Sequence, residues 1–127
     1  MPTPFDLNAI GVTLQQAAGV LNDRVHNQIS VLNFDQIQQM TNASQDLLIK
    51  SKVLFAQATI QLAADAQGAI TNLQNAAKQI NQCLATIADV QKAVDLAGDL
   101  VGVAASIMSG NVGSVISFCG SAISTLS

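Results

Sequence analysis

One histidine, two cysteines and eight aspartates are what this sequence offers to acid–base, nucleophilic or metal chemistry. His26 sits beside Asp23 and Arg24 in an uninterrupted helical pattern and reads as a solvated helix residue. Serines are plentiful, but no nucleophile-elbow motif places one at a strand-to-helix turn, so a Ser-His-Asp arrangement has no local support. Cys83 and Cys119 have no second Cys or His at zinc-ligand spacing. They read as two small buried hydrophobes. A disulfide between them would require their helices to pack side by side. Asp89, Asp95 and Asp99 lack the close spacing of a cation loop, and Asp89 and Asp95 flank Lys92, which makes them solvated helix-face charges. Asp46 and Lys50 form another ordinary i,i+4 pair. The glycines follow helical spacing with no strand before them, so no phosphate-cradling loop is present. The expectation is a protein with no catalytic residues, no metal and no cofactor.

The composition points away from several partners. Only 10% of the residues are charged, against about 25% in typical soluble domains. Polarity comes from 14 Gln and 9 Asn, and the acids are all Asp. Five cations against eight acids give a net charge of -3 and no basic patch, which argues against nucleic acid. The same low charge offers little resistance to self-association. Trp and Tyr are absent and Phe occurs four times, so the core is expected to be aliphatic. The opening residues MPTPFDLN lack the basic and apolar regions of a secretory signal, so the expected location is cytoplasmic, with signal-free export open.

The elements that would carry these residues are helices. Past Pro4 there is no proline, and no alternating strand pattern bounded by turn signals appears. The fold class expected is all-α: one domain over residues 1–127, built as a long heptad-patterned hairpin or bundle that ends in an apolar helical hairpin. Residues 1–6 form an arm, 7–30 a first helix, 34–66 a second, 69–109 a third and 114–126 a short last one. Ile10, Leu14, Ala17, Ala18, Leu21, Val25 and Ile29 give the first helix an apolar stripe, which Gly11 and Gly19 weaken slightly. Asn33 and Gln36 have capping-box spacing at the start of the second helix. Ile37, Met40, Ser44, Leu47, Ser51, Leu54 and Ala58 alternate by three and four along it. Ile70, Leu73, Ala77, Ile80, Leu84 and Ile87 repeat that spacing more cleanly, a seam suited to a neighbouring helix. Gly68 is the lone breaker between Phe34 and Gly98 and the expected reversal. Without a reversal there, residues 34–109 would form a rod on the order of 110 Å.

The last charge is Asp99, and the 28 residues after it are uncharged. Gly98, Gly102, Ser106 and Gly110 recur every fourth residue, and Gly113, Ser117, Ser121 and Thr125 repeat the spacing beyond a turn at Ser109–Gly113. Such ladders let helix backbones approach closely. The opposite faces hold Leu100, Val101, Ile107 and Met108, then Val115, Ile116, Phe118 and Ile123. The expected hairpin packs on itself through its small residues and offers its outer face to copies or to lipid; the alternative is a Gly/Ala-rich core pair buried under the earlier helices.

Assembly with copies of itself or related helical subunits, through the 70–87 seam and this hairpin, is the leading expectation. Over residues 34–126, long helices carrying an apolar hairpin resemble the α-helical pore-forming toxins. That resemblance implies a hairpin that enters a bilayer only after assembly. The pattern departs from it in placing the hairpin last, with no long returning helix. A monomeric bundle that binds a protein partner through its amide-rich face is the third reading.

Overall fold

The computed structural model describes residues 3–126. Among them are six helices and one small two-stranded sheet: β1 (Thr3–Asp6), α1 (Asn8–Asn27), α2 (Phe34–Gln57), β2 (Thr59–Leu62), α3 (Ala64–Asn75), α4 (Ala77–Thr86), α5 (Val90–Ser109) and α6 (Val112–Thr125). The fold is a helical bundle.

α1 and α2 form an antiparallel pair. The apolar stripe of α1, Ile10, Leu14, Ala17, Ala18, Leu21 and Val25, is buried along with Met40, Leu47 and Leu54 of α2. Gly11 gives the Phe55 ring its seat, because a Cβ there would lie 2.8 Å from Phe55 Cε1. Ser44 Oγ donates across the pair to the Ala18 carbonyl at 2.8 Å, and Ser51 Oγ donates to the Leu48 carbonyl. The two seam serines are therefore satisfied inside the fold. The capping box forms as its spacing predicts, with Asn33 Oδ1 accepting from Gln36 N–H and Gln36 Oε1 from Asn33 N–H.

The reversal after α2 departs from expectation. It falls at residues 58–63, and Gly68 lies inside α3, exposed, with open space where a Cβ would point. Ala58 turns the chain with φ +63 and ψ -48, a conformation unusual for a residue with a Cβ, so no glycine signalled it. β2 then pairs antiparallel with β1, Thr3 opposite Leu62 and Asp6 opposite Thr59. Residues 3–6 of the expected arm are thus a strand, and residues 1–2 lie outside the described residues. Gln67 Nε2 fastens it by donating to the Thr3 and Leu62 carbonyls and to Thr3 Oγ1. A four-residue strand that borrows its partner from a distant link leaves little periodicity to read.

The expected helix 69–109 is three helices, interrupted at Ala76 and at Ile87–Asp89. α4 packs on α1 and α3 on α6, while α5 packs on both α2 and α6. The 70–87 seam is consequently not an open surface. Ile70, Leu73, Ile80 and Leu84 are fully buried, and Ala77 and Ile87 are half-buried, all within this one chain. The breaks fold the seam back onto α1 and α6, which supply the cover expected from other copies.

Two substitutions test the reversal. Gly68→Ala should stabilise the protein by roughly 0.5–1 kcal/mol, since it lies in helix. Ala58→Gly should also stabilise it, by about 1 kcal/mol, by relieving the positive φ. Urea unfolding followed by circular dichroism reads both, and a turn at Gly68 would reverse the first sign.

Candidate functional site

Arg24 is the most constrained polar residue of the bundle, and nothing in its sequence context marks it. It is buried to 6% exposure near the end of α1. Its Nε donates to Gln28 Oε1 at 3.0 Å, one terminal nitrogen to the Leu84 carbonyl at 2.9 Å, and the other to the Ile87 carbonyl at 2.6 Å. These carbonyls belong to the end of α4, where helix backbone lacks its own donors and carries partial negative charge. Arg24 therefore caps α4 from another helix. A cleft of about 240 Å³ beside it includes Val20, Asp23 and Ala85. The next element starts on a side-chain cap as well: Asp89 Oδ1 accepts from Gln91 N–H at 3.0 Å.

His26 is exposed, and its Nδ1 donates to the Asn22 carbonyl at 3.0 Å. Both cysteines are free thiols. Burial pushes Cys119 up to about 11. It also raises Cys83, against the opposing pull of Arg24 and Lys92. Both thiols are thereby held protonated and poorly nucleophilic. Asp95 Oδ1 accepts from Gln91 Nε2 at 2.9 Å. Asp99 departs from the solvated reading: it is half-buried, and desolvation, with Asp95 adding to it, raises its carboxyl above the ordinary range. Among the described residues no three His, Cys, Asp or Glu side chains are grouped closely enough to hold a metal.

The α5–α6 hairpin turns where its Gly-Asn pair predicts. Gly110 takes φ +74, Gly110 N–H bonds the Ile107 carbonyl and Asn111 N–H the Ser106 carbonyl, the paired bonds of a Schellman motif. Asn111 Oδ1 then caps α6 by accepting from Ser114 N–H. The facing of the hairpin is the reverse of that expected. Leu100, Ile107 and Val115 are buried and Val101, Met108 and Ile123 half-buried, while Ile116 and Phe118 alone of that apolar set are exposed. Gly98, Gly113, Ser117 and Ser121 of the ladders face outward. Gly102 is half-buried under the Phe118 ring, and buried Ser106 donates Oγ to the Gly102 carbonyl. The inversion follows from energetics. Burying a Leu or Ile side chain is worth about 1.5–3 kcal/mol, Gly and Ser far less, and α2 and α3 supply the cover.

The α1–α2 turn carries the most exposed apolar side chains, and Ile29, which the spacing places on the buried stripe of α1, is among them because the helix ends at Asn27. Ile29 is 60%, Val31 77% and Phe34 74% exposed, all within six residues. The available signal is chemical: a connection between helices usually holds polar turn formers, and this one holds Ile29, Val31 and Leu32, with Phe34 opening α2. No protein-family model matches the chain, and no curated protein or solved structure matches it at a significant level. Among the described residues no helix is long and apolar enough to cross a membrane.

Replacing Arg24 with Met should cost about 2–4 kcal/mol, because the Leu84 and Ile87 carbonyls lose their donors. Arg24→Lys should recover less than half of that, since one ammonium cannot span both carbonyls and Gln28; chemical denaturation measures both. Asp99→Asn should raise the melting temperature at pH 7. The folded state binds the Asp99 proton more tightly than the unfolded chain, so its carboxylate costs stability above the raised pKa. That gain should fade as pH falls below the ordinary Asp range, where the carboxyl is protonated in both states.

Proposed function

We propose that this chain is a non-catalytic helical protein that works by self-association, through the α1–α2 tip and the outer face of α6. The cluster of Ile29, Val31 and Phe34 carries the reading. Scattered exposed apolar residues are ordinary, but three large ones within six residues at one end of the bundle give a surface whose cover is worth several kcal/mol. The outer face of α6 adds to it: Gly113, Ile116, Ser117, Gly120 and Ser121 are exposed, and no residue after Asp99 is charged. A helix face of that kind meets a second copy without like-charge repulsion. Glycine within a helix costs about 1 kcal/mol relative to alanine. At Gly98 and Gly120 no group of the chain lies within 4 Å of an added Cβ, so the chain's own packing does not call for glycine there.

A second reading, membrane contact by the same surfaces, draws on the uncharged α6 and the apolar tip. In it the bilayer covers Ile29, Val31 and Phe34 at the interface and the hairpin enters lipid only within an assembly.

Size-exclusion chromatography with light scattering separates the readings. The native chain should run at a multiple of its 13.1 kDa mass. A variant carrying Ile29→Ser, Val31→Ser and Phe34→Ser should run as the monomer with unchanged helicity. A native chain that stays monomeric at tens of micromolar overturns self-association. If it then releases dye from phosphatidylcholine vesicles, and Ile116→Asp abolishes that release, the membrane reading stands in its place.

A further inference from the structure

We propose that two copies of this chain pair reciprocally through the open face of α1 and α2, each seating its Phe34 ring in the groove between the other's two helices. The pairing rests on the self-association reading and names the surface that receives the apolar tip. α2 buries Met40, Leu47, Ser51 and Leu54 against the bundle. On its far side Phe34, Gln38, Gln45, Leu48, Ile49 and Lys52 follow helical spacing along one stripe, all of them exposed. Beside this stripe a groove of about 310 Å³ runs between α1 and α2, with Ala18, Gly19 and Leu48 inside an amide rim of Gln15, Asn22 and Gln45. An apolar centre within a polar rim is the layout of a protein interface. A cavity of about 150 Å³ already holds a benzene ring, so the groove admits a phenyl side chain.

The occupant is a second copy. Phe34 and Leu48 stand on one continuous helix about 21 Å apart, so the tip cannot fold into its own groove. Turning one copy end for end over the other brings each Phe34 to the other's Gln45 and Leu48, with the two-fold axis midway, near Gln38 and Thr41. Such a contact closes on itself. The overlapping helix pairs measure about 27 Å by about 20 Å on each copy. That is roughly 1,100 Å² in total, enough for a specific interface of about 1,000 Å². Charge selects this groove over the other cleft along α2. That cleft is lined by Asp46, Val94 and Gly98, with Asp95 and Asp99 next in sequence to the last two. Asp35, adjacent to Phe34, would meet like charge there. The residues lining the α1–α2 groove are all uncharged, and Lys52 stands one turn beyond Leu48.

Gly19→Arg fills the groove and spares the fold, since no group of the chain lies within 4 Å of an added Cβ there. Light scattering after size exclusion is read in an Ile116→Asp parent, which disables the α6 face at an exposed position. The parent should weigh twice 13.1 kDa at tens of micromolar. Gly19→Arg and Phe34→Ser, each added to it, should give monomers with unchanged circular dichroism. Mixed in equal amounts, these two monomers should form a dimer, because the Phe34 of one enters the open groove of the other. With one of two contacts left, its Kd should be at least about tenfold weaker than the parent's. If the parent oligomerises and Gly19→Arg keeps its mass, the groove is overturned and self-association stands. The pairing is equally overturned by a mixture that stays monomeric, by a parent mass that keeps growing with concentration, or by a monomeric parent beside an oligomeric native chain. A native chain that is itself monomeric removes the self-association reading and this pairing together.

Discussion

The guanidinium of Arg24 joins the end of α1 to the end of α4 at a place where the local sequence would otherwise continue a helix. Folding α3 and α4 back against α1 and α6 buries the apolar seam within the chain. A charged side chain buried at 6% exposure is costly unless its donors are used. Here they meet carbonyls that would themselves be orphaned. Each group removes the penalty of the other, which is why one arginine can hold a bend that glycine or proline would normally make.

Large aliphatic residues dominate the interior because the chain has so few alternatives. With four Phe and no Trp or Tyr, the bundle closes on Leu, Ile, Val and Ala. Two of the Phe rings lie over glycines, Phe55 on Gly11 and Phe118 on Gly102. Gly11 reads in sequence as a weak point of a helix and serves in the fold as a packing socket.

The helical class, the capping box at Asn33, the stripe of α1 and the turn at Gly110–Asn111 were legible because each rests on local spacing or a residue with particular backbone tolerance. The break at residues 87–89 was not, since Arg24 acts from about sixty residues away and leaves no mark on the residues it bends, and the break at Ala76 has no Gly or Pro to signal it. Heptad spacing marks Ile70, Leu73, Ile80 and Leu84 as apolar positions in need of cover; it carries no sign that the cover comes from α1 and α6 of the same chain. The facing of the hairpin is illegible for a related reason. Small-residue ladders show where backbones are able to approach, whereas the larger side chains, given cover by α2 and α3, decide which side turns in. The exposed tip at Ile29, Val31 and Phe34 escaped because Ile29 fits the stripe of the preceding helix by spacing alone.

The β1–β2 ribbon has a consequence for the order in which the molecule can come apart. Two four-residue strands are too short to persist by themselves. They also join Thr3 to Leu62, closing a circuit that contains the whole of α1 and α2. Closing so long a circuit forfeits chain entropy that only the packed helices inside it repay. The ribbon and the helical pair should therefore melt as one cooperative unit, with Thr3–Asp6 behaving as a hem stitched to the middle of the chain rather than as a fraying end.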